Sequence, residues 1–189
     1  MDILDQDFYN QDASIVAKQL LGKYLIRVYN NNIISGRIVE TEAYYGEQDP
    51  PSRAYKGYNN FAKLMWDTPG KIFIYMVHAH WLLNIVTMPI GIPSAVLIRA
   101  IEPLEGLDFM EVNRTKKGKN VSNGPGKLTK AMLIDKSFDG IMATNINGDL
   151  FIKNSYEKVR IKSSHRIGVR KDLKRKLRFF ISDNIFVSK

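Results

Sequence analysis

The sequence predicts an α+β fold: a single domain built on a mainly antiparallel β-sheet with surrounding helices and a β-hairpin. Three observations carry that reading. Helical periodicity is confined to short stretches, the extended runs are brief and bounded by turn residues, and neither an internal repeat nor a linker divides the 189 residues. A chain of this length buries one sizeable core unaided.

The elements follow in order. Asp12 to Leu21 reads as a helix, with Asp12 as N-cap, Val16 and Leu20 on one face, and Gly22 just past the end. Lys23 to Tyr29 and Ile33 to Ala43 are rich in branched and aromatic residues, and Asn30-Asn31-Asn32 between them makes a β-hairpin. From Gly46 to Gly70, Pro50, Pro51, Gly57, Asn59, Asn60 and Pro69 break any regular element, which predicts a long surface loop. Lys71–Val77 and Ala95–Glu102 read as buried strands. Pro103 is placed to open a helix with Leu104, Leu107 and Met110 on one face, and Pro125 to open another through Leu133. Short strands complete the chain at Ile141–Ile146, Leu150–Lys153, Arg166–Val169 and Leu177–Ser182.

Composition narrows the chemistry. There is no cysteine, which excludes disulfides, cysteine zinc sites and thiolate nucleophiles. The first residues, MDILDQDFYNQDAS, are acidic and lack the pattern of a signal peptide, and no apolar run is long enough to span a membrane, so a cytoplasmic protein without a membrane partner is expected. The net charge of +9 favours an anionic partner. That charge is clustered: ten Lys or Arg against the single acid Asp172 between Lys158 and Arg178, and six against none between Val112 and Lys130. Such segments either line a groove that follows a phosphate backbone or form two solvated loops. Asn123-Gly124-Pro125-Gly126-Lys127 sets glycines and a lysine at a helix start, suited to phosphate contact or to ordinary capping; Val121 stands where a Walker loop needs glycine.

Three groups of side chains could carry chemistry. Glu40 and Glu42 fall on one strongly β-forming run, about 7 Å apart on one strand face. An acid in a half-buried strand is costly unless paired or used, so either one is a general base or both bind arginines such as Arg37. His78 and His80 offer half a metal site, but only His165 remains to extend it, so no metal is expected. Tyr44, Tyr45, Tyr55, Tyr58, Phe73, Tyr75 and Trp81 are either core or the walls of a pocket for a flat ring.

Several strings together resemble the alkyladenine type of 3-methyladenine DNA glycosylases, nearly end to end. They are Leu20-Leu21-Gly22, Gly36-Arg37-Ile38-Val39-Glu40-Thr41-Glu42-Ala43-Tyr44, Pro69-Gly70 leading to Tyr75, Leu97-Ile98-Arg99-Ala100-Ile101-Glu102-Pro103, Asn123 to Leu128, and Arg166-Ile167-Gly168. The resemblance implies a monofunctional base-excision enzyme, acting as a monomer and without cofactor on damaged double-stranded DNA. It would flip a purine from the duplex and hydrolyse the bond to its sugar. Glu42 corresponds to the family's general base, Arg99 to the arginine that helps position the attacking water, and Val169 to a residue whose carbonyl holds the same water. Tyr44 and Tyr75 match the aromatics that stack on the flipped base, and Asn84 the asparagine that disfavours the 2-amino group of guanine. Lys127 and Arg166 are assigned to DNA binding. The family inserts a tyrosine from a β-hairpin into the minor groove, and this chain has His78 at or near that place. It also has Arg53 where the family usually has a histidine in the pocket; its guanidinium either stacks in the pocket or turns out to a phosphate. Two alternatives remain at this level: a basic DNA-binding module without activity, and a carbohydrate hydrolase using Glu40 and Glu42 as an acid/base pair.

Overall fold

The computed structural model describes residues 2–189 and forms one curled antiparallel sheet with helices packed against it. Two short helices come first: α1 (Gln6–Tyr9) and α2 (Ala13–Gln19). Asp12 caps α2, accepting from the Ser14 N–H at 2.8 Å, and Val16, Ala17 and Leu20 are fully buried. The strands are β1 (Tyr24–Tyr29), β2 (Asn32–Tyr44), β3 (Ile72–Val77), β4 (His80–Val86), β5 (Ala95–Glu105), β6 (Leu150–Lys153), β7 (Ile161–Ser164) and β8 (Arg178–Ile181). The main path runs β3-β4-β5-β2-β1-β6. β2 is long enough to change partners along one edge: its first half pairs with β1, while Glu40–Glu42 pair with β8, which β7 extends.

Several sequence expectations hold: the helix after Asp12, the β1–β2 hairpin, the irregular loop from Gly46 to Gly70, and the strands at 72–77, 95–102, 150–153 and 178–181. Others are corrected. Pro103 lies inside β5, opposite Gly36 at an irregularity in the ladder, where its missing N–H is tolerated. The helix expected there begins later, as α3 (Leu107–Arg114), after Gly106 at φ 71°. A Cβ on Gly106 would meet the Ile33 carbonyl at 2.9 Å, so glycine is required on both counts. Of the three apolar residues assigned to that helix face only Met110 is buried; Leu104 and Leu107 are exposed. Ile141–Ile146 makes one isolated bridge, Lys71 to Met142, rather than a strand. Arg166–Val169 is loop, because its backbone and side chains bond to acids instead of to a ladder.

α4 (Pro125–Ala131) packs Leu128 and Ala131 onto the sheet between β4 and β5. The main core lies between the sheet and α2 and α4, and includes Ile38, Ile72, Ile74, Leu83, Ile85 and Ile98. A second small cluster joins Ala54, Ala62 and Met65 of the 46–70 loop to Phe73, Tyr75 and Val86, and so fixes that loop on the β3–β4 hairpin.

Candidate active site

The sheet register assembles the site. Glu42, Leu97, Asn84 and Phe73 form one row across β2, β5, β4 and β3. Period-two alternation puts Tyr44 and Tyr75 on the same face as that row. Arg99 reaches it through a bulge: between Glu40 and Thr41 the β5 partner steps from Ala100 to Ile98, so Arg99 is the extra residue in the ladder. Over this face opens a cavity of about 590 Å³, lined by Tyr44, Tyr75, Arg99, the start of α4 and the Ile167–Val169 loop.

Glu42 is completely buried behind that wall. Its Oε2 accepts from the Tyr44 hydroxyl at 2.8 Å and from Arg99 Nη1 at 3.1 Å, and its Oε1 from the Ile167 N–H at 2.8 Å. All three donors belong to residues that line the cavity. Burial pushes the carboxyl above the usual carboxylate range, and Arg99 and the two other donors offset only part of that rise. The Tyr44 phenol is pushed well above its usual range by burial and by the Glu42 charge, so it remains a donor.

Glu40 is equally buried but differently employed. Its Oε1 accepts from Arg99 Nε at 2.9 Å and Arg178 Nε at 2.6 Å, and its Oε2 from the Ser188 N–H at 2.8 Å. Of its donors only Arg99 lines the cavity, whereas all three of Glu42's donors do. Arg37 serves neither acid; it pairs with Glu102 and Glu157. The two carboxylates are therefore not an acid/base couple facing one substrate, and the carbohydrate-hydrolase alternative loses its geometric basis.

The remaining site residues divide. Arg53 is brought to the cavity by the 46–70 loop, and its guanidinium stands 4.8 Å from the Tyr75 ring centroid and 5.8 Å from that of Phe61. Of the two orientations open to it, the inward one is adopted. Burial raises the Tyr75 phenol, and the Arg53 charge beside it offsets part of the rise. Val169 lines the cavity beside Ile167 and Gly168. Lys127, in the first turn of α4, lines it too, with Nζ donating to Asn123 Oδ1 at 2.8 Å. His78 sits at the tip of the β3–β4 hairpin, where His78 and Ala79 both adopt left-handed φ, 47° and 61°, the geometry of a two-residue hairpin turn. The hairpin leans on α4 closely enough that a Cβ on Gly126 would lie 2.6 Å from His80 Cβ. Asn84 shares the Glu42 face of the sheet but stays out of the cavity wall; its amide nitrogen donates to the carbonyls of Phe73 at 3.1 Å and Leu82 at 3.2 Å.

Arg166 requires a correction. Its side chain is wholly buried, with Nη2 at 2.6 Å from both Asp49 Oδ1 and Asp172 Oδ1, and its guanidinium 4.5 Å from the Tyr44 ring centroid. Both acids occupy its donors, so it supports Tyr44 from behind instead of meeting DNA. Burial would raise Asp172, but the bonds from Arg166 hold its carboxyl below the usual range. Arg178 is buried as well, which leaves eight exposed cations of the ten in that segment, among them Arg170, Lys171, Lys174, Arg175 and Lys176. Sequence reasoning missed Asp49, the Ile167 N–H and Ser188. It registered Asp172 only as the lone acid of a basic run. Among the described residues no group of three or more metal-ligating side chains converges, and no helix is long and apolar enough to cross a membrane.

Comparison with known proteins agrees with this geometry. A family model described as methylpurine-DNA glycosylase matches residues 7–185. Relatives named "Putative 3-methyladenine DNA glycosylase" include one from Chlorobium phaeobacteroides strain BS1, 40% identical across 100% of this chain and 96% of its own. One from Clostridium perfringens strain 13 is 40% identical across 98% of each chain, and one from Francisella tularensis strain SCHU S4 is 38% identical across 92% of each.

Proposed function

The chain belongs to the methylpurine-DNA glycosylase family, and from that we propose that it is a monofunctional DNA N-glycosylase that removes alkylated or deaminated purines with a Glu42-activated water. The observation that carries this reading is Glu42: a fully buried carboxyl that accepts from Arg99, Tyr44 and the Ile167 N–H, set at the back of a cavity lined by aromatic rings.

In this reading the cavity receives a purine turned out of the duplex, with Tyr44 and Tyr75 against its faces. Glu42 takes a proton from water as the water oxygen bonds to the anomeric carbon of the deoxyribose. The electron pair of the breaking carbon–nitrogen bond leaves with the base. Arg99 and Tyr44 fix Oε2, so that Oε1, which accepts from one backbone N–H, has a lone pair left for the water. The carboxylate charge also stabilises the positive charge that develops on the sugar. Val169 supports the water from the loop, and the abasic product retains an uncut strand because no amine attacks the sugar. His78, at the exposed hairpin tip, fills the gap in the stack, while Lys127 and the exposed cations of 170–176 meet phosphates. Asn84 acts on specificity indirectly, by fixing the carbonyls of Phe73 and Leu82 beneath the stacking face.

The test is release of free base from duplexes that each carry one 3-methyladenine, 7-methylguanine, hypoxanthine or ethenoadenine, under single-turnover conditions. Release by the wild-type chain and none by Glu42→Gln supports the reading. Absence of release from all four, with retained DNA binding, favours a binding module on the same scaffold.

A further inference from the structure

Behind the cavity wall lies a buried polar ring that joins Arg99 and Glu42 to Glu40, Arg178 and Ser188, three residues that take no part in the proposed reaction. Arg99 is shared between two acids: its Nε donates to Glu40 at 2.9 Å and its Nη1 to Glu42 at 3.1 Å. Both acids have no exposure, so each draws on every donor within reach. Ser188 relieves that competition. Its N–H donates to Glu40 Oε2 and its hydroxyl to Glu40 Oε1, both at 2.8 Å, and its carbonyl accepts from Arg178 Nη2 at 2.8 Å. Arg99 Nη2 also reaches the Ser188 hydroxyl oxygen, at 3.4 Å. All three polar groups of this residue are therefore committed to the ring. Ser188 lies outside the residues, 7–185, that the family description matches.

We propose that Ser188 is a positioning residue, which saturates Glu40 with neutral donors and so leaves the Nη1 edge of Arg99 on Glu42. Its consequence for catalysis rests on the reading of Glu42 as the general base; its effect on Arg99 does not. Without the hydroxyl, Glu40 Oε1 loses one of three donors, and Arg99 Nη2, which loses its own contact to the Ser188 hydroxyl, is free to turn toward Glu40. A shift of Arg99 toward Glu40 lengthens the contact at Nη1.

Glu42 reports that shift directly. The groups that face it are Arg99 from β5, Glu40 and Tyr44 from its own strand, the Ile167 N–H from the loop, and Tyr75 from β3. Arg99 is the main group that opposes the rise caused by burial. As Arg99 withdraws, the carboxyl holds its proton to higher pH.

The test is a titration of the glutamate side-chain carboxyls by carbon-13 NMR, with the Glu42 signal assigned by its absence in Glu42→Gln, on the wild type and on Ser188→Thr, Ser188→Cys and Ser188→Ala. Thr keeps the hydroxyl, Cys offers a weaker donor, and Ala offers none. The Glu42 midpoint is expected to stay at the wild-type value in Ser188→Thr, to rise in Ser188→Cys, and to rise by about one pH unit in Ser188→Ala. The acidic limb of single-turnover base release should move by the same amount. An unmoved Glu42 midpoint in folded Ser188→Ala overturns the proposal, as does a rate loss that is equal at every pH. If the wild type releases no base, the functional reading fails, and the NMR midpoints still decide the role of Ser188.

Discussion

Arg53 offers the sharpest test of how this cavity discriminates among bases. Its guanidinium stands 4.8 Å from the Tyr75 centroid, on one face of the ring. A base stacked on the opposite face lies about 3.5 Å beyond, which separates the two charges by about 8 Å when the base is cationic. At an effective dielectric near 20 that repulsion is about 2 kcal/mol. Arg53 is solvent-exposed, unlike Arg166, whose charge is covered by Asp49 and Asp172, and salt screening at this distance reduces the figure to about 1 kcal/mol. The penalty falls on 7-methylguanine and 3-methyladenine, which are cationic in DNA, and not on neutral hypoxanthine or ethenoadenine. Arg53→His, neutral at pH 8, should therefore raise the ratio of single-turnover rates on 7-methylguanine and ethenoadenine by about fivefold. Both rates are measured on the same duplex sequence, at saturating enzyme, with free base as the readout. An unchanged ratio would refute the reasoning, and equal slowing on both lesions with a shallower salt dependence of binding would place Arg53 on the DNA backbone.

Glu42→Gln should abolish base release while binding to lesion duplex stays within a few-fold of wild type; retained release in this variant, with loss in Glu40→Gln, would assign the base to the other carboxylate. The same variant tests the burial of Glu42 by stability. The folded-state midpoint is raised, so the protonated form contributes stability that is fully present below the ordinary carboxylate range and is lost as pH rises through the raised midpoint. Denaturant unfolding should accordingly show Glu42→Gln gaining on the wild type between acid and neutral pH, and a constant difference would contradict it. Arg166→Ala leaves Asp49 buried and unpaired and should cost about 3–5 kcal/mol in chemical denaturation, whereas a surface DNA contact would cost almost nothing. Affinity for undamaged duplex should fall steeply with salt, with a log–log slope that reflects several phosphate contacts; a flat response would remove the 170–176 cations from the interface.

The local elements and the identity of the reacting groups were legible in the sequence because each is set by neighbours along the chain. Asp12 caps the helix it precedes, the three asparagines turn the first hairpin, and an acid-bearing run as β-prone as Ile38 to Tyr44 singles out its own carboxylates. The family resemblance named Glu42, Arg99, Tyr44 and Tyr75; the last three line one cavity wall, and Glu42 lies directly behind it, bonded to Arg99 and Tyr44. What stayed illegible depends on partners far apart in the chain. Glu40 and Glu42 are alike in the sequence, and only the bulge at Arg99, the β8 pairing and Ser188 make one a saturated ion-pair acid and the other the acid at the cavity. Arg166 counts as one more cation in a basic run until Asp49, at the start of the Gly46–Gly70 loop and more than a hundred residues earlier in the chain, pairs with it. Pro103 resembles a helix opener until the irregular ladder opposite Gly36 absorbs its missing N–H. Local backbone preference is written residue by residue, but the ionisation and orientation of a buried side chain are set by which distant charges and donors the fold brings within about 4 Å of it.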